Sequence, residues 1–68
     1  MTAPLTNRVR ILRAEKNLSQ TELAQAIGVS RKTISTIETG RFVPSTVISL
    51  RIARHFGVPV ESVFDLAE

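Results

Sequence analysis

Val29-Ser30-Arg31-Lys32-Thr33-Ile34-Ser35-Thr36-Ile37-Glu38-Thr39-Gly40 is the stretch on which the reading of this chain turns. It predicts a short helix with Ser30 as N-cap, stopped by Gly40, a residue suited to the left-handed conformation that ends helices. Its composition opposes that helix. Thr33, Ile34, Thr36, Ile37 and Thr39 are β-branched, stiff at χ1 and poor helix formers. The apolar grip is the narrow face of Ile34 and Ile37, with Val29 before it, so packing from outside must hold the helix. Arg31 and Lys32 put cations at the positive end of the helix dipole, each at a cost of roughly 0.3–1 kcal/mol. Two readings fit this pattern. One is a helix built to place its side chains against an anion; the other is a solvated surface helix with two solubilising cations.

Upstream, Ser19-Gln20-Thr21-Glu22 is a capping box, in which Ser19 caps and Glu22 reaches back from three residues on. Leu23, Ala24 and Ile27 form the inner face of that helix, and Gly28 ends it after barely two turns. Two short helices joined by a tight, glycine-containing turn make a helix-turn-helix unit over about residues 19–39. At 100° per residue, Ile34, Ile37 and Glu38 face one side of the second helix. Lys32, Thr36 and Thr39 face the other, with Arg31 on the flank. Further upstream, Thr6 or Asn7 caps a first helix running to about Lys16 and stopped by Asn17. Val9, Leu12 and Lys16 share its face, and Arg13 falls on the same side. Arg13 and Glu38 have opposite signs and are both turned toward the core, so they are expected to pair; the alternative is that each snorkels to water separately.

Downstream, Gly40-Arg41-Phe42-Val43-Pro44 is a connector in which Phe42 is expected to plug the core. Ser45 caps a helix that runs to Phe56 and ends at Gly57. Val47, Leu50 and Ala53 form one apolar row on it, and Ile48, Ile52 and Phe56 another. A last short helix is expected over about Val60 to Phe64. Met1 to Leu5 shows no periodicity and is expected to be a loose lead-in.

Composition narrows the function. Sixty-eight residues suit one small domain with a modest core. The absence of Cys excludes a disulfide scaffold, and one His without Cys argues against a zinc site, so no metal or cofactor is expected. His55, the single histidine, falls on the outer side of its helix, and no two carboxylates are spaced for acid/base work; an enzyme is not expected. No apolar run approaches a membrane span and the N-terminus lacks a signal-peptide pattern, so the expected location is cytoplasmic. The net charge is +3 and unevenly placed. Residues 1–45 carry seven bases against three acids, whereas residues 46–68 carry Arg51 and Arg54 against Glu61, Asp65 and Glu68. The positive field therefore belongs to the first two-thirds, which suits a polyanion partner there.

Ser19-Gln20-x-x-Leu23-Ala24-x-x-x-Gly28-Val29-Ser30-x-x-x-Ile34-x-x-x-Glu38-x-Gly40, followed by Pro44 and Leu50-x-Ile52-Ala53, resembles the Xre family of Cro/cI-like helix-turn-helix regulators. The end of the chain, Phe56-Gly57-Val58-Pro59-Val60-Glu61-Ser62-Val63-Phe64, is most similar to the family's short, single-domain members of the cytolysin repressor type. The resemblance runs from about Asn7 to Phe64. It implies an all-α, five-helix, lambda-repressor-like domain over residues 1–68 (core 7–64) that binds operator DNA as a dimer. By position it implies base reading by Arg31, Lys32 and Thr36, and contacts to the DNA backbone from Gln20, Ser30, Thr33, Thr39 and Arg41. It also pairs Arg13 with Glu38 in a structural role. Pro4 falls where short members place an N-terminal strand, which argues against a terminal β-ribbon.

The broad face of the fourth helix, with Val60, Val63, Phe64 and Leu66, exceeds what one small core buries. Val60, Phe64 and Leu66 are therefore expected at a twofold homodimer contact, whereas Val63 closes the core of its own chain. The expected function is a sequence-specific transcriptional regulator, a repressor on a near-palindromic operator, with no small-molecule ligand. The alternative is an antitoxin-like regulator that also binds a toxin or other protein, although there is hardly room after Phe64 for a neutralising segment.

Overall fold

The computed structural model describes residues 5–68, so the lead-in through Pro4 lies outside the described residues. The elements in chain order are β1 (Leu5–Asn7), α1 (Val9–Glu15), α2 (Gln20–Ile27), α3 (Arg31–Glu38), α4 (Thr46–Phe56), a 3-10 turn (Val60–Ser62) and β2 (Phe64–Leu66). Four α-helices stand where five were expected among the described residues, and a small antiparallel sheet is added.

The local signals explain most boundaries. In α2 both halves of the capping box form: the Glu22 N–H donates to Ser19 Oγ at 3.0 Å, and the Ser19 N–H donates to Glu22 Oε1 at 2.8 Å. Hydrogen bonding from the Ser19 backbone, the larger effect, and from the Ser19 side chain lowers the pKa of the Glu22 carboxyl from its ordinary value. A depressed folded-state pKa adds stability that is complete above the unfolded value and is lost as the pH falls through the folded one. Glu22→Gln, which keeps the capping geometry but not the charge, is therefore expected to melt below the parent near neutral pH and to approach it in acid. Below about pH 4 it should lose stability less steeply, as melting temperature against pH will show.

Gly28 ends α2 at φ 78°, left-handed backbone that an L side chain adopts only under strain. It turns the chain so that the Val29 N–H closes on Ala24 O at 2.9 Å and Ser30 can begin α3. Asn17 takes the same left-handed region at φ 55° after α1. Ser45 caps α4 through the Ile48 N–H at 3.2 Å. The core draws on every helix: Val9 from α1, Leu23, Ala24 and Ile27 from α2, Ile34 and Ile37 from α3, and Ile52, Ala53 and Phe56 from α4. Each large apolar side chain so enclosed contributes about 1.5–3 kcal/mol.

Four expectations are corrected. Thr6 and Asn7 lie in β1, not in a cap: the N-cap of α1 is Arg8, which makes no side-chain cap bond, while Asn7 Oδ1 accepts the Val9 N–H at 3.2 Å from one residue earlier. The terminal β-ribbon that Pro4 argued against is present, with Leu5 opposite Leu66, Thr6 opposite Asp65 and Asn7 opposite Phe64. The last helix is only one 3-10 turn. Its bonds run from the Ser62 N–H to Pro59 O and from the Val63 N–H to Val60 O, and β-branched Val58, Val60 and Val63 favour extended chain. Past that turn the chain finds β1, and the Arg8 N–H donates to Val63 O at 2.9 Å. Val63 is buried. Phe42, finally, is exposed and does not plug the core. Phe42 lines a recess beside Ile37 together with Leu5, Asn7 and Phe64.

Candidate nucleic-acid interface

Helix α3 is held from beneath and left polar above. Ile34 and Ile37 are enclosed, and the helix begins where Ser30 Oγ accepts the Thr33 N–H at 3.2 Å. Ser30 Oγ also lies 2.9 Å from Thr33 Oγ1, so the two hydroxyls form one polar step on the first turn. Arg31 and Lys32 are exposed there, and the turn contains no acid to offset them. Two cations on the open N-terminus of a helix form a surface on which an anion is stabilised by both charge and dipole.

Thr36, one turn on, is half-buried. Its Oγ1 lies 2.9 Å from Lys32 O and 3.0 Å from Thr33 O, so its single proton is committed to the helix backbone. The methyl group and the remaining lone pairs are what Thr36 has to offer a partner. Thr39 Oγ1 donates back to Thr36 O at 3.2 Å in the same way. Arg41 is exposed in the loop beyond, its backbone N–H on Thr36 O at 3.0 Å.

Beneath this surface runs a chain of charge-assisted hydrogen bonds. Arg13 Nε donates to Glu38 Oε2 at 2.8 Å, Arg13 Nη2 to Glu38 Oε1 at 3.3 Å, and Arg13 Nη1 to Leu18 O at 2.8 Å. The side chains are 18% and 5% exposed, and this is the one ion pair among the described residues. The hydrogen bond to Glu38 raises the pKa of Arg13 above its ordinary value and outweighs the opposing effect of burial. Gln20 Nε2 donates to Glu38 Oε1 at 3.2 Å, and Arg31 Nη1 donates to Gln20 Oε1 at 3.0 Å. The first residue of α2 is thereby bonded to both ends of α3.

The structure thus brings Gln20, Ser30, Arg31, Lys32 and Thr33 together at one end of the helix-turn-helix, with Thr36, Thr39 and Arg41 following along α3. It does not gather Val60, Phe64 and Leu66 into one recess. Val60 lines a groove with Leu50, Ala53, Arg54, Val58 and Pro59, whereas Phe64 lines another with Asn7, Ile37 and Phe42. Leu66 is 60% exposed on β2. Sequence reasoning missed Asn7 as a tie: its Nδ2 donates to Ile37 O at 2.9 Å and joins β1 to the end of α3. A polar side chain just before α1 was visible, but only as a cap. The long-range partner has no local signature.

The helix-turn-helix family model matches residues 9–63, from the first residue of α1 to the buried valine before β2. The chain belongs to the Xre/Cro-like helix-turn-helix family. Members of this family among its relatives are DNA-binding transcriptional regulators. The uncharacterized HTH-type transcriptional regulator YgzD of Bacillus subtilis is 41% identical over 64 residues, covering 94% of this chain and 97% of that protein. The cryptic phage CTXphi transcriptional repressor RstR of Vibrio cholerae is 32% identical over 63 residues, covering 93% of this chain and 57% of RstR. Among solved structures, the restriction-modification controller protein C.AhdI of Aeromonas hydrophila superposes with a TM-score of 0.76 at 33% identity, over 81% of this chain and 83% of that one. Within the matched residues, α2 and α3 are the two helices of the helix-turn-helix. No helix among the described residues is long and apolar enough to cross a membrane.

Proposed function

We propose that this helix-turn-helix protein is a cytoplasmic repressor that binds a near-palindromic operator as a homodimer. The observation that carries the proposal is the pair of exposed cations, Arg31 and Lys32, on an acid-free first turn of α3. Arg31 and Lys32 suit the O6 and N7 acceptors of guanine, and the Thr36 methyl suits the methyl of thymine. Gln20, Ser30, Thr33, Thr39 and Arg41 supply contacts to phosphates on either side of the groove. Arg13 with Glu38 keeps the reading helix in place. Exposed Val47, Leu50 and Leu66, with half-buried Val60 and Phe64, supply apolar surface for a twofold contact that sets two recognition helices about 34 Å apart. The name of RstR supports repression over activation.

Selection from a random DNA pool at physiological salt tests this reading. An enriched inverted repeat with half-site centres one helical turn apart is the expected result. Salt-sensitive binding without enrichment would reject it in favour of an antitoxin-like, partner-dependent role. Arg31→Ala is expected to cost about 1–3 kcal/mol on the selected site and to relax preference at one base position. Equal losses on selected and random DNA, measured by titration, would remove Arg31 as a base contact.

A further inference from the structure

We propose that Asn7 is a positioning residue for the contact of Arg41 with the DNA backbone: it ties the terminal β-ribbon to the turn that carries Arg41 out of α3. The proposal rests on the reading of Arg41 as a phosphate contact given above.

The turn hangs on two carbonyls. Thr36 O accepts the Arg41 N–H at 3.0 Å and the Thr39 hydroxyl at 3.2 Å. Ile37 O accepts the Gly40 N–H at 3.0 Å and Asn7 Nδ2 at 2.9 Å. All of these bonds but the last are made within the turn itself. Among the described residues, Asn7 makes the one hydrogen bond from another element to the backbone between Thr36 and Arg41. The last carbonyls of a helix have no partners further along it, so an outside donor on Ile37 O helps fix where the chain leaves α3. Arg41 is exposed, and the one ion pair among the described residues joins Arg13 to Glu38. The direction of the Arg41 side chain is therefore set by the backbone that carries it.

Asn7 is itself held on two sides. Its Oδ1 accepts the Val9 N–H at 3.2 Å, which turns the donor end of the amide toward α3. Its backbone lies in β1 opposite Phe64, and the next residue, Arg8, donates its N–H to the carbonyl of buried Val63 at 2.9 Å. Leu5, Asn7 and Phe64 line one recess with Ile37, Gly40 and Phe42, so ribbon and turn meet there. Two strands of three residues gain little from each other alone. Docked on this recess, they back the end of α3.

Asn7→Ser isolates the tie. A serine hydroxyl still accepts the N–H two residues on, as in a local serine turn, but is too short to reach Ile37 O. Binding is compared where circular dichroism shows both proteins fully folded. On the selected site, Asn7→Ser is expected to bind about 2- to 10-fold more weakly, the worth of one net hydrogen bond, with base preference unchanged. Its salt slope should fall by up to about one, and the substitution should add nothing in the Arg41→Ala background. In the parent, hydrogen exchange at low denaturant is expected to show the Arg8 and Arg41 amides opening together. Unchanged affinity and salt slope in folded Asn7→Ser would make the tie a folding bond only and overturn the proposal. So would an Arg8 amide that opens well before that of Arg41 in the parent, a result that needs no variant to fold. If Arg41→Ala alone leaves the salt slope unchanged, the phosphate-contact reading falls and this proposal with it, a failure seen before Asn7 is altered.

Discussion

Glu38→Ala is expected to cost about 3–5 kcal/mol of folding stability, the largest effect of any single substitution considered for this chain. The loss comes from what is left behind. Arg13, 18% exposed, would keep only Leu18 O as a partner, with its charge stranded beneath α3, and Gln20 would lose its acceptor. Small domains hold a total of about 5–15 kcal/mol, and each kcal/mol moves the midpoint of one this size by about 4–8 °C. A fall of more than about 10 °C in a circular-dichroism melt is the expected reading, and a fall below about 3 °C would show that the pair contributes little. Arg13→Met combined with Glu38→Leu should regain much of the loss, because an apolar pair leaves no charge unmatched.

Ile34→Ala is expected to cost about 2–5 kcal/mol, by lost transfer energy and by the cavity it leaves. The same truncation in a strong helix former would be local damage. In α3 it removes half of the apolar grip, since only Ile34 and Ile37 of its eight residues are buried. Threonines and isoleucines give the helix little propensity of its own, so its formation depends on that grip. Urea unfolding of the variant should show the loss directly. Selected DNA at 100 times its dissociation constant should restore about 2.7 kcal/mol by mass action, bringing the variant back toward the unliganded parent. An unchanged midpoint without DNA would mean that α3 is held by something other than its two isoleucines.

Local chemistry was legible wherever a residue acts on its near neighbours. Ser19 with Glu22, Ser30, Ser45, Gly28, Asn17 and Gly57 fixed helix ends through bonds and dihedrals spanning four residues or fewer. The inward direction of Arg13 and Glu38 was also legible, because helical periodicity turns both toward the core and opposite charges there have one cheap solution.

The C-terminal end was misread because its secondary structure depends on a partner nearly 60 residues away. Val60 to Phe64 carries a helical spacing of apolar residues, but Asn7 sits opposite Phe64 and Leu5 opposite Leu66, and ladder bonds with β1 outweigh a helix too short to nucleate. Phe42 was misplaced for a related reason: the recess it lines beside Ile37 is walled by Leu5, Asn7 and Phe64 of the strand pair, which no local pattern brings there.

The sequence by itself determined the helix-turn-helix, its caps, its basic first turn and the charges facing inward, since each is set by neighbours along the chain. Only the tertiary structure decided that the chain closes with a β-ribbon, that Asn7 ties this ribbon to the end of α3, and that Gln20 stands between Glu38 and Arg31. Those contacts join residues far apart in sequence, and a hydrogen bond between such residues depends on the packed distance, which no local pattern encodes.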